Sequence, residues 1–110
     1  MKKDRIRDYA TEAFRDYAKI SMLNGISESQ MQDIKAVRQT IEHFRHRDAE
    51  IIIDAVKAVY FTGASERLGR KDISLRVSRF AVERYVDEST VYRYLREARR
   101  IFAHFRGLTP

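Results

Sequence analysis

The chain has no cysteine, a single proline that is its last residue, and four glycines among 110 residues. Without thiols, structural disulfides and cysteine-based zinc fingers are excluded, and the composition is compatible with a reducing cytoplasm. Proline and glycine are the strongest breakers of regular structure, so their scarcity predicts a mostly helical chain with few loops. No apolar run approaches the roughly 20 residues that cross a bilayer. The cluster Ile51-Ile52-Ile53 is far too short, and no membrane partner is expected. The opening MKKDRIRDYATEAF is basic but meets acids before any apolar core, which argues against secretion and for a cytoplasmic protein. No glycine-rich phosphate loop, nucleophile motif or metal-ligand cluster stands out, so no catalysis, metal or cofactor is expected. His43 and His46 are three apart on one helix, but no nearby ligand completes a site. Glu42, Asp48 and Glu50 read as surface charges, and no base is placed to activate Ser89 or Thr90.

What is present is a lopsided charge. Residues 1–66 hold 11 Lys/Arg and 11 Asp/Glu, whereas residues 67–110 hold 11 Lys/Arg against 5 Asp/Glu. The whole formal charge of +6 therefore lies in the second part. Ten of its eleven cations are arginine, which forks to phosphate and to guanine better than lysine does. A basic part joined to a neutral part is the electrostatic footprint of a domain that neutralises phosphates.

Apolar spacing traces four or five helices, an all-α fold. Residues 1–62 are predicted to form an N-terminal helical bundle, 63–71 a linker, and 72–110 a basic C-terminal subdomain. The first helix, over about 4–23, carries Ile6, Tyr9, Ala10, Ala13, Tyr17, Ile20 and Leu23 on one stripe, opposite a solvated face of Arg, Asp and Glu. Asn24-Gly25 ends it, and Ser27 with Gln30 fits a capping box for the next. That helix, to about Arg45, turns Met31, Ile34, Val37, Ile41 and Phe44 inward. Asp48 is expected to cap a third helix bearing Ile51, Ile52, Ala55, Val56, Val59 and Tyr60. Asp72 is expected to cap a fourth, with Ile73, Val77, Phe80 and Ala81 inward.

Residues 77–96, VSRFAVERYVDESTVYRYLR, have the spacing of a helix-turn-helix. Ala81 is the small residue that permits close approach of the second helix, Val91 the core residue ten positions later, and Val86 the plug of the turn. Asp87 suits an N-cap. The second helix is long for a recognition helix, because Val91, Leu95, Ala98, Phe102 and Phe105, broadened by Tyr94 and Ile101, continue its apolar stripe to a stop at Gly107. The outer side of this helix projects Glu88, Ser89, Tyr92, Arg93 and Arg96 toward base edges. Arg70, Lys71, Arg76, Arg79, Thr90 and Arg100 are the candidates for phosphate.

The stretch FAVERYVDESTVYRYLREARRIFAHFRGL resembles phage and mobile-element transcriptional regulators of the RinA/ArpU type, themselves similar to the promoter-binding fourth region of sigma factors. The resemblance rests on Ala81, Val86, the run from Ser89 to Arg93, and the ending from Phe102 to Leu108, about a third of the chain. It implies a small helical transcription regulator. Two positions depart from the common pattern: Tyr85 stands where glycine is usual, and Arg84 where an apolar residue is usual. The first predicts a lengthened or reshaped turn. The leading expectation is a sequence-specific regulator bound to double-stranded DNA. The alternatives are a protein-interaction module for RNA polymerase or a sigma factor, and an RNA-binding protein using the Tyr/Arg mixture of Tyr85 and Tyr92. The surplus of amphipathic helix predicts a homodimer through the N-terminal helices.

Overall fold

A computed structural model describes residues 5–19, 25–61 and 69–108, apart from the side chain of Arg70. The described residues form helices and no strand: α1 (Arg5–Ala18), α2 (Glu28–His46), α3 (Glu50–Val56), α4 (Arg70–Arg84) and α5 (Glu88–Arg106). A π-helical turn, Lys57–Phe61, continues α3. The chain is all-α, as its composition predicts. Residues 62–68, most of the expected linker, lie outside the described part, as do Ile20 and Leu23 of the first apolar stripe.

Local chemistry explains the helix ends. At the start of α2 the Ser27 hydroxyl accepts from the Gln30 amide at 3.1 Å while the Gln30 side chain accepts from the Ser27 amide at 2.9 Å. This is the expected capping box. Two other caps differ from expectation. Asp48 lies in the turn at φ 54°, leaving Ala49 as the N-cap of α3. Asp72 sits inside α4, whose N-cap is Gly69, three residues earlier than expected, and its carboxylate accepts from the Gly69 amide at 2.9 Å. Helix α1 gives way to a turn at Lys19, short of the expected end.

One hydrophobic core joins all five helices. Ala10, Ala13 and Phe14 of α1 meet Tyr60 and Phe102, with Phe14 to Tyr60 at 5.8 Å and Phe14 to Phe102 at 5.4 Å between ring centroids. Val37 and Phe44 of α2 and Ile53, Val56 and Val59 around the third helix complete the layer. The apolar stripe of α5 serves both ends, because Val91 and Leu95 share the core with Val77, Phe80 and Ala81 of α4, while Ala98, Ile101 and Phe102 share it with the N-terminal helices. The basic C-terminal part and the N-terminal bundle are thus built on a common core. Helical spacing misplaces a few residues. Met31 is 55% exposed, Ile53 is more buried than Ile51 and Ile52, and Arg15, on the face expected to be solvated, is buried.

Polar ties fasten the end of α5 to the bundle. Arg106 Nε donates to Asp33 Oδ1 at 2.8 Å in a largely buried pair, and the Tyr9 hydroxyl donates to the same oxygen at 2.7 Å. Hydrogen bonding to Asp33 raises the pKa of Arg106 above its usual value. Tyr9 also lays its ring beside Phe102, at 6.3 Å.

The connection between α4 and α5 is short. Tyr85 takes the left-handed conformation (φ 57°, ψ 43°), and the Val86 amide donates back to the Ala81 carbonyl at 3.0 Å. This is the glycine-type helix stop made by a tyrosine, so the turn is not lengthened. Arg84, the other departure, reaches Asp54 on α3 at 2.8 Å and lies 5.5 Å over the Phe80 ring. Asp87 is the N-cap of α5 by position, although its side chain makes no capping bond and its carbonyl receives the Thr90 and Val91 amides.

Two stability outcomes follow from this turn. Ala81 is 5% exposed and sits in the α4–α5 core, so Ala81→Leu is expected to lower stability by roughly 1–3 kcal/mol through overpacking. An unchanged denaturation midpoint would show that the site is open. Tyr85 is 95% exposed, so its ring contributes no packing to offset the cost of a positive φ. Tyr85→Gly is expected to raise stability by about 0.5–1 kcal/mol; a fall in melting temperature would contradict that account.

Candidate nucleic-acid interface

The face of α5 opposite its buried stripe is set by helical period. With Val91, Leu95, Ala98 and Phe102 buried, Ser89, Arg93, Arg96 and Arg100 follow one another along the outer side and are all exposed. Tyr92 flanks them, 38% exposed, above a cavity between α1, α4 and α5 that also exposes Ser74. Glu88, in the first turn, is exposed but receives a short hydrogen bond from the Ser78 hydroxyl of α4. Its carboxylate therefore ties the two helices together. Thr90 is half-buried on the flank of α5. The base-facing residues expected from sequence thus lie on one surface, except that Glu88 is engaged.

The cations expected at phosphates divide into groups. Lys71 in the first turn of α4 and Arg79 near its middle are exposed. Arg70 opens α4, and its side chain lies outside the described part. Arg76 does not face outward: it is half-buried and donates to the Val59 carbonyl at 2.9 Å. Arg76 thus has a structural task against the π-helical turn. Arg100 is exposed but forks onto Glu97, with Nε to Oε2 at 3.1 Å and a second, shorter contact from Nη2 to Oε1. This hydrogen bonding holds the Glu97 carboxyl below, and the Arg100 guanidinium above, their ordinary ranges. Lys71, Arg79, Arg93 and Arg96 are paired with no acid among the described residues.

Sequence spacing passed over Arg99. Its Nη1 donates to the hydroxyl of buried Tyr60 at 2.7 Å, which fixes the guanidinium beside the outer face of α5. Its only signal in the sequence is membership of an arginine-rich helix, because the tyrosine that anchors it lies 39 positions away.

On the other flank, His43 packs edge-on against Phe44 and Phe105. His46 lies 3.7 Å from Glu42. Among the described residues no cluster of three or more His, Cys, Asp or Glu could hold a metal. No helix there is long and apolar enough to cross a membrane. Comparison with protein-family models, curated proteins and solved structures finds no match to this chain.

Burial lowers the pKa of His43, and the positive charge of Arg47 adds to the effect against an opposing pull from Glu97. The unfolded chain takes up this proton near pH 6.5, before the folded chain does. Stability from the neutral ring is therefore fully present above about pH 6.5, the unfolded value, and is lost as the pH falls from there through the lower folded-state value. His43→Gln is expected to show a smaller drop in melting temperature between about pH 8 and pH 5.5 than the parent chain. An identical drop would place the titration elsewhere.

Proposed function

We propose that the chain is a sequence-specific regulator of transcription that binds double-stranded DNA, with α4, the Tyr85–Asp87 turn and α5 acting as a helix-turn-helix. The observation that carries this reading is the exposed row Ser89, Tyr92, Arg93 and Arg96 on a helix anchored from behind by Val91 and Leu95. In such a motif the second helix enters the major groove and presents its outer side chains to base edges. Arg93 and Arg96, which pair with no acid among the described residues, would fork onto guanine, while Lys71 and Arg79 would hold the backbone around α4. Resemblance of the C-terminal stretch to RinA/ArpU-type regulators supports the same reading, and with it a role in phage or mobile-element gene control in the cytoplasm.

A second reading has its own support. On the outer side of α4, Leu75 is 66% and Val82 76% exposed, next to Tyr85. DNA offers little to such side chains, whereas a protein such as RNA polymerase would. This surface and the DNA face are compatible on one molecule. A homodimer is less favoured, because the amphipathic faces that suggested it, those of α1 and of α5 from Ile101 to Phe105, pack within the monomer. A single-strand RNA reading would rest on the two tyrosines it names, Tyr85 and Tyr92, which are exposed while Tyr94 is half-buried, and it lacks a further exposed aromatic on α5 to extend the stack.

Selection of bound fragments from a random duplex library is expected to return a defined short sequence. On that sequence Arg93→Ala and Arg96→Ala are each expected to weaken binding by about 1–3 kcal/mol and to relax the preference at one position. Full-strength binding by both variants, folded by circular dichroism, would refute the base-facing assignment. Retention of RNA polymerase by a variant doubly substituted at Leu75 and Val82 would remove the support for the second reading.

A further inference from the structure

The positive surface of α5 does not stop where the base-facing row ends. Between its C-terminal half and α1 lies an open-sided groove of about 430 Å³, lined by Arg7 of α1 and by Arg96, Arg99 and Arg100 of α5. No carboxylate lines it among the described residues. The groove shares Arg96 with the outer row, so the two surfaces are continuous.

The arginines are not equivalent. Arg100 is forked onto Glu97, and Arg7 Nε lies 3.7 Å from Asp8. Arg99 is held by the Tyr60 hydroxyl through one of its five N–H donors, so the others are oriented in advance and remain available to an acceptor. Arg7 and Arg99 also border the adjoining cavity on the α4 side, where Asp8 and Glu12 stand in the wall. Those carboxylates repel an anion, which confines one to the arginine side of the ridge.

The spacing suits a duplex. A helix rises about 1.5 Å per residue, so the seven residues from Arg93 to Arg100 span about 10 Å. The major groove is about 12 Å wide. A helix reading bases near Arg93 therefore meets the wall of the groove, where the phosphates run, near Arg99 and Arg100.

On the strength of the DNA-binding reading, we infer that the groove between α1 and the C-terminal half of α5 seats a backbone phosphate at the edge of the major groove. Arg99 is its principal cation, Arg7 faces it from the other wall of the groove, and α1 is part of the DNA-binding surface.

The test is the salt dependence of binding by the full chain, read by fluorescence anisotropy on a selected duplex and on a random one. Each lost phosphate contact flattens the slope of log K against log salt by about 0.9. Arg7→Gln and Arg99→Gln are each expected to do so on both duplexes. Arg5→Gln, an exposed neighbour on α1 outside the groove, is expected to keep the parent slope. Thermal melting is read first, and exposed Arg7 carries the test alone if loss of the Tyr60 contact unfolds the Arg99 variant. Parent slopes for the groove variants, with Arg93→Ala still weakening the selected site, would overturn the groove and leave the DNA reading standing. An equal loss for Arg5→Gln would overturn it in favour of diffuse charge. Stabilisation by millimolar inorganic phosphate that Arg7→Gln abolishes, with duplex slopes unchanged, would make this a free-anion site and also overturn it. Absence of duplex binding by the parent chain at low salt would instead remove the DNA-binding reading itself.

Discussion

The structure depends on α5 being one uninterrupted helix with one buried stripe. From Glu88 to Arg106 it is 19 residues long, or about 28 Å at the usual rise. Val91 and Leu95 pack with α4, and Ala98, Ile101 and Phe102 pack with the bundle. A rigid rod held at both ends cannot turn about its axis without emptying two sets of contacts. The direction of Arg93 and Arg96 is thus fixed by residues several turns away, among them Phe14, whose ring contacts Phe102. The Arg106–Asp33 pair and the Schellman-type stop at Gly107, where the Leu108 amide returns to the Ala103 carbonyl at 2.9 Å, hold the far end. Under this constraint the N-terminal helices form the mount of the outer face, not a separate domain tethered to it.

The same constraint alters the meaning of the charge. The sequence concentrates its excess of arginine after residue 66, and a simple account would send all of it to phosphate. Several of those arginines have internal tasks instead. Arg76 meets a carbonyl of the third helix, Arg84 bridges to Asp54, Arg99 meets Tyr60, Arg100 forks onto Glu97 and Arg106 closes on Asp33. Guanidinium suits both uses because its planar fork binds carbonyl, hydroxyl and carboxylate as readily as phosphate. Paired arginines still contribute to the long-range field only to the extent that their partners do not cancel it. After residue 66, Lys71, Arg79, Arg93 and Arg96 pair with no acid among the described residues, and Arg99 meets a neutral hydroxyl that cancels none of its charge; all five lie on α4 and α5.

How much of this was legible in the sequence depended on how local the cause was. The helices, the Ser27–Gln30 box and the Gly107 stop are set by neighbours within a few residues, and spacing revealed them, as it did the burial of Ala81 and Val91. The outer row of α5 followed from the same period. Tertiary causes were hidden. The inward turn of Arg76 requires Val59, 17 positions away, and the anchoring of Arg99 requires Tyr60. The π turn at Lys57–Phe61 shifts the face of the third helix, which helps explain why Val59 and Tyr60 remain buried beside Ile53 while Ile51 and Ile52 are only half-buried. Tyr85 illustrates a different failure. A non-glycine residue at positive φ is rare enough to suggest another turn, yet a cost of about 1–2 kcal/mol is small against the core that the short turn closes.

That cost leaves Tyr85 without a structural justification. Its side chain is almost fully exposed, and glycine would make the same turn with less strain. Strained residues that packing does not require concentrate at functional surfaces. Tyr85 stands between the apolar side of α4 and the outer face of α5, next to exposed Val82 on the one hand and, through Asp87, at the foot of the α5 row on the other. An aromatic ring with a hydroxyl suits either neighbour, since it can bury apolar area against a protein or hydrogen-bond to a phosphate. If α5 reads bases as proposed, a monomer with one such helix has few specific contacts and must gain affinity from its surroundings on the same chain. The arginine groove on the α1 side and Tyr85 at the turn lie at opposite ends of the reading face, and together they would extend it in both directions without a second subunit.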